Sequence, residues 1–114
     1  MNKLIGQQGE DIAVDYLLKQ GYKILERNKH FSKTCEIDII AKNKNTYVFV
    51  EVKTRSTNHF GHPLEAITKT KYQNIKTGVF SYLKEKNLKN VSFQIDAISI
   101  ILKPEILISH LKNI

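Results

Sequence analysis

The chain has one cysteine in 114 residues, which excludes an intramolecular disulfide and a cysteine-rich zinc site. It lacks any apolar run long enough to span a bilayer and any leader with a hydrophobic segment, so the expected location is the cytoplasm, with no membrane partner. It also lacks repeats, linkers and low-complexity tracts, and a single domain over residues 1–114 is expected. Acidic residues are in short supply, 11 Asp and Glu against 18 Lys and Arg, for a net charge of +7. That balance calls for an anionic partner without choosing among nucleic acid, a membrane surface and an acidic protein.

What the chain does have is concentrated between Cys35 and Arg55, CEIDIIAKNKNTYVFVEVKTR. Glu36 to Lys42 begins as alternating acidic and aliphatic residues, and Thr46 to Lys53 is rich in valine and aromatics, both strand signatures. The polar, Asn-rich Lys42–Asn45 stretch between them suits a tight hairpin turn. Along the second strand Tyr47, Phe49, Glu51 and Lys53 share one face and Val48, Val50 and Val52 the other. Both faces are largely apolar, so a strand buried on both sides is expected, and Glu51 and Lys53 need partners there.

A turn centred on Lys44-Asn45 places Asp38 opposite Glu51 and Glu36 opposite Lys53; a shift by two pairs Glu36 with Glu51 instead. Directly opposed side chains lie about 4.5–5.5 Å apart at Cβ. In either register acid faces acid, and two carboxylates that close repel unless a proton or cation lies between them. Two carboxylates, a main-chain carbonyl at Val52 and room for water form a hard oxygen site suited to Mg²⁺ or Mn²⁺. A lysine two residues beyond the second carboxylate can orient a water or offset phosphate charge. This is the chemistry of phosphodiester hydrolysis.

Asp38 followed by Glu51-Val52-Lys53 resembles the D…(D/E)-x-K site of the PD-(D/E)-x-K nuclease superfamily. End to end, the chain resembles the YraN-like bacterial family, itself similar to archaeal Holliday-junction resolvases. The landmarks are Gly6, Gly9-Glu10, Glu36-Ile37-Asp38, the run Val48 to Arg55, Gly61, Lys71, Asp96 and His110. The chain departs from the pattern at Cys35, where the family usually has Gly, at Ile37 in place of the superfamily proline, and at Tyr72 and Gln73, where Gln and Arg usually follow the helix lysine. The resemblance implies a restriction-endonuclease-like core, a metal-dependent endonuclease activity on DNA, branched recombination or repair intermediates among its substrates, and a homodimer. It also implies a site role for Glu10, as a third carboxylate or as the holder of a metal-bound water, and for Lys71.

The remaining segments read as scaffold. Lys3 to Gln20 has a helical period ending at Gly21; within it Gly6, Glu10, Ala13 and Leu17 align, and the plain alternative for Glu10 is a first-turn acid favoured by the helix dipole. Tyr22 to Asn28 reads as a strand and Asn28 to Thr34 as an irregular basic loop. Ser56 to Pro63 reads as a loop whose His59 and His62, without a third soft ligand, are surface histidines. A second helix starts with Thr68 as N-cap and runs to about Lys86, burying Ile75, Val79, Tyr82 and Leu83, with close packing at Gly78. Val91 to Leu102 reads as a strand joined to the hairpin by a parallel crossover, and its Asp96 calls for a structural ion pair. Pro104 suits the start of a short final helix, Glu105 to Lys112, on which His110 is structural.

The expected fold is therefore α/β, a mixed sheet in the order α-β-β-β-α-β with a short C-terminal helix. Asp38, Glu51 and the Val52 carbonyl hold the metal, and Lys53 and Glu10 complete the catalytic set. Lys29, Lys33, Arg55, Lys69 and Lys71 border the nucleic acid. Two other functions are compatible with the residues: a non-catalytic nucleic-acid-binding module of the same fold, and a protein-interaction domain with a vestigial site.

Overall fold

The computed structural model describes residues 3–33, 35–57 and 67–114; His59, His62 and the loop around them lie outside the described residues. The elements are helix α1 (Lys3–Lys19), strands β1 (Lys23–Ser32), β2 (Cys35–Asn43) and β3 (Thr46–Arg55), helix α2 (Lys69–Glu85), and strands β4 (Ser92–Ile101) and β5 (Leu107–Leu111). The sheet runs β1-β2-β3-β4-β5. Its neighbours are antiparallel except β3 and β4, which are parallel and joined through α2. Among the described residues no helix is long and apolar enough to cross a membrane.

Strand alternation divides the core into two layers. Val48 and Val50 of β3 join Ile39, Ala41, Ile98 and Ile100 beneath Ala13 and Leu17 of α1. Phe49 joins Ile37, Ile40 and Ile95 beneath Ile75, Val79 and Tyr82 of α2. The central strand β3 is thus covered on both faces, as its valine and aromatic content requires. The Thr68 side chain accepts the Lys71 N–H and caps α2, and Ile75, Val79 and Tyr82 are buried as the helical period predicts.

Two expectations are overturned. The C-terminal segment is not a helix: Leu107–Leu111 forms strand β5, with Ile98 facing His110 and Ile101 facing Leu107. A helix of that length has too few internal hydrogen bonds to offset its nucleation, whereas pairing satisfies the otherwise open edge of β4. The basic segment after Asn28 is not an irregular loop either, because β1 continues to Ser32 with register irregularities after Ile24 and after His30. Asn28 takes a φ of 52°, a left-handed conformation that Asn tolerates better than most residues.

Candidate active site

The β2–β3 hairpin follows the register expected from a turn at Lys44-Asn45, and its regular pairs end one residue short of Asp38 and Glu51. Ile39 faces Val50 and Asn43 faces Thr46, around a turn in which Lys44 has a φ of 55°. Beyond the last regular pair, the Val52 N–H donates to Asp38 Oδ2 at 2.8 Å. A side chain of β2 thereby takes the place of its backbone as acceptor for β3. Val52 meets Asp38 through this N–H, where the sequence pointed to its carbonyl.

Burial raises the Asp38 pKa most, Glu51 repels its charged form next, and the Val52 N–H opposes both; with smaller repulsion from Glu10 and Glu36 the carboxyl is pushed up to about 7. Glu51 is 2% exposed. Its Oε1 lies 3.2 Å from Lys53 Nζ and 3.1 Å from Lys71 Nζ. Its Oε2 is buried with no hydrogen-bond partner. Burial pushes the Lys71 ammonium down, but the charge and hydrogen bond of Glu51 outweigh it and hold its pKa above the usual lysine value.

The donor chemistry fits a hard divalent cation. Asp38 and Glu51 supply carboxylate oxygens, and the unpartnered Oε2 is an acceptor aimed into a buried place. Among the described residues no group of three or more His, Cys, Asp or Glu is disposed to hold a metal. Any cation here completes its shell with water or phosphate oxygens, the manner in which Mg²⁺ is commonly bound.

Glu10 reaches the neighbourhood of the site but is already engaged. Its Oε1 accepts from Arg27 Nε and Nη2 at 3.3 and 3.2 Å and from Asn28 Nδ2 at 2.9 Å, while Arg27 also binds Asp11 at 2.6 Å. The helix begins at Lys3, so Glu10 is not a first-turn acid and the dipole does not account for it. What positions it is Gly9, where a Cβ would collide with the Thr54 side chain; only glycine lets α1 approach β3 this closely. The Arg27–Asn28 clamp was not read from sequence, and the one available signal was an inward acid in need of a partner.

The cations divide. Lys71 meets the site directly. Lys33 lines a cavity of about 180 Å³ with His30, Glu36, Lys71 and Asn74. His30 and Glu36 also line a larger cleft of about 670 Å³ with Lys3, Gln7, Glu10 and Arg27, so the two spaces adjoin along the start of β2. Arg55 follows Lys53 on the same face of β3, and its Nε is buried without a partner. Lys69 borders a separate cavity of about 500 Å³ with Tyr72, Ala97 and Leu111. Lys29 pairs with Glu85 at 3.3 Å and Glu26 at 3.7 Å, and the structure does not bring it to the carboxylates.

Cys35 and Asp96 are structural. The Cys35 thiol is buried and donates to the Asn74 carbonyl at 2.9 Å. It packs where Gly78 leaves no room for a Cβ, which would stand 2.7 Å from the sulfur. Asp96 is fully buried and pairs with His110 Nε2 at 2.7 Å, while the Gln94 amide and the Asn113 N–H donate to its other oxygen. The remaining ring nitrogen of His110 lies 2.9 Å from the Tyr16 hydroxyl.

Comparison with known sequences sets these residues in a family. A protein of Caldicellulosiruptor saccharolyticus is 44% identical over 117 residues, covering 99% of this chain and 98% of the relative. One from Caldanaerobacter subterraneus is 44% identical over 115 residues, covering 97% and 93%. One from Clostridium botulinum is 50% identical over 102 residues, covering 89% and 82%. All three carry the name UPF0102 protein. The sequence profile described as Uncharacterised protein family UPF0102 matches residues 9–100, and the chain belongs to that family.

Proposed function

We propose that this protein is a Mg²⁺-dependent endonuclease acting on DNA, with a core of the restriction-endonuclease type. The observation that carries the reading is a buried Glu51 with the Lys53 ammonium on its Oε1 at 3.2 Å and its Oε2 unpartnered, next to an Asp38 that accepts the Val52 N–H from the same strand. Asp38 and Glu51 would hold the cation, which supplies Lewis-acid stabilisation of phosphoryl charge. Lys53 positions the attacking water or offsets charge on the phosphate. Burial between two packed layers keeps bulk water from screening these charges.

The cleft that runs from Glu10 and Arg27 past His30 and Glu36 to Lys33 and Lys71 brings cations to the side of the carboxylates along which a phosphate backbone would pass. The resemblance to archaeal Holliday-junction resolvases directs attention to branched DNA, to a dimer and to the cytoplasm. A second reading, a nucleic-acid-binding module without catalysis, is favoured by the Arg27 and Asn28 hydrogen bonds that occupy Glu10.

The test is a screen of purified full-length protein on branched and linear DNAs with Mg²⁺ or Mn²⁺. The nuclease reading expects cleavage that falls at least about a hundredfold in Lys53→Ala and in Asp38→Asn. Salt-sensitive binding with no cleavage selects the binding module. Cleavage that survives both substitutions at the wild-type rate removes these residues from the mechanism.

A further inference from the structure

Lys71 and Lys53 bring two ammonium groups to one oxygen, Glu51 Oε1, at 3.1 and 3.2 Å. The carboxylate is buried, so it needs a counter-charge, yet one lysine already supplies it. The second is surplus to that one carboxylate, and the other acids near Asp38 have neighbours of their own, Glu10 on Arg27 and Asn28 and Glu36 beside His30. The two lysines are not equivalent. Lys53 stands on the central strand two residues from Glu51, with its side chain 24% exposed. Lys71 stands in the first turn of α2, with its side chain 41% exposed, and it borders the cavity of about 180 Å³ shared with His30, Lys33 and Asn74.

We propose that Lys71 is a displaceable stand-in for the divalent cation, holding Glu51 in the metal-free protein and moving into the cavity it shares with His30, Lys33, Glu36 and Asn74, where it and Lys33 meet a backbone phosphate, once a cation binds. The proposal rests on the metal-dependent reading of the site. A divalent ion added while both ammoniums stay on Glu51 would bring twice as much positive as negative charge to the Asp38–Glu51 pair. One ammonium would then leave, and Lys71 is the more exposed of the two and borders a polar cavity. The cation and the Lys71 contact are thus competing ligands of one carboxylate, coupled with equal strength in both directions. Metal would release a phosphate-binding lysine at the moment the site becomes competent, so cation and nucleic acid would favour each other's binding.

The experiment titrates Mn²⁺ alone into the full chain and into Asp38→Asn, Lys71→Met and Lys71→Arg, following free Mn²⁺ by electron paramagnetic resonance. Wild type should bind, Asp38→Asn should lose binding, and Lys71→Met should bind about tenfold more tightly, within the usual span of coupling between sites. Lys71→Arg, which keeps the charge, should stay near wild type. Unchanged or weaker binding in Lys71→Met, with binding still lost in Asp38→Asn, overturns the displacement while leaving the metal site intact. No binding in any protein overturns both. A second measurement needs no variant of Lys71: with ¹⁵N-lysine label, Mg²⁺ should shift the Lys71 ammonium resonance and speed its proton exchange while Lys53 keeps its contact. An unmoved Lys71 resonance in the presence of bound Mg²⁺ overturns the proposal.

Discussion

Asp38 accepts the Val52 N–H at 2.8 Å, so the carboxylate that repels Glu51 is fastened to the peptide group that follows it. The repulsion cannot be relieved by rotating Asp38 away without losing that bond. The acid pair is therefore held in a state that only a proton, an ammonium or a metal makes comfortable.

The first prediction concerns pH. The folded-state pKa of Asp38 is raised, to about 7, so the stability it contributes is fully present below the ordinary carboxylate value and is lost as pH rises through about 7. In metal-free buffer Asp38→Asn, which keeps an oxygen for the Val52 N–H, should match wild type near pH 4. It should exceed wild type near pH 8 by the order of a few kcal/mol. Denaturant melts at the two pH values decide it; a variant less stable than wild type at the higher pH would contradict the repulsion.

A second prediction tests the approach of α1 to β3. Gly9→Ala should cost about 1–3 kcal/mol, the usual penalty of overpacking. Thr54→Ala in the same chain should restore part of the loss, since it removes Oγ1 and Cγ2 but leaves the Thr54 Cβ 2.7 Å from the new methyl. Thermal denaturation of the two single variants and the double variant measures the coupling, and additive losses would show that the two residues do not meet.

The register of the hairpin and the start of α2 were legible because each rests on neighbours in sequence: an Asn-rich turn at Lys44-Asn45, and a Thr68 hydroxyl three residues before the N–H it caps. The partner of Asp96 was legible only as a need, since a charge inside a strand requires a partner without naming one. Strand β5 was not legible. Ile106, Leu107 and Leu111 suit a short amphipathic helix as well as an edge strand, and the choice is made by β4, whose open edge is invisible in the local sequence. The Arg27–Asn28 clamp on Glu10 was hidden for the same reason, because it depends on how β1 and α1 pack.

Asp96 and His110 give a third prediction. Burial pushes the Asp96 pKa up, but the bonds from His110, Asn113 and Gln94 outweigh it and hold it below the usual range. Its stability contribution is present above the unfolded value and is lost as pH falls through the folded one. His110→Ala leaves a buried charge without its partner and should cost about 3–5 kcal/mol. In Asp96→Asn with His110→Gln most of that loss should be recovered. Urea titration near neutral pH measures both, and equal losses in the single and double variants would deny the Asp96–His110 contact its role.

The fourth prediction separates the lysines by their partners. If the protein binds duplex DNA, the logarithm of affinity should fall linearly with the logarithm of salt concentration, and Lys33→Ala should reduce the slope by about 0.9. Lys29→Ala should leave the slope unchanged, because Lys29 is held by Glu26 and Glu85. Fluorescence anisotropy across a salt series tests the pair, and a loss of slope in Lys29→Ala would place the backbone on the other side of β1.

Because β2 and β3 are consecutive antiparallel strands, the two acids meet through a hairpin of the kind that forms in about 1–10 μs. Lys71 comes from α2, within the crossover that links the parallel strands β3 and β4. Long-range parallel closure is intrinsically slower than local pairing. If the hairpin closes first, as its local topology favours, the carboxylates confront each other before their helix-borne counter-ion is in place, and in that interval they would depend on protons or free cations to stay together.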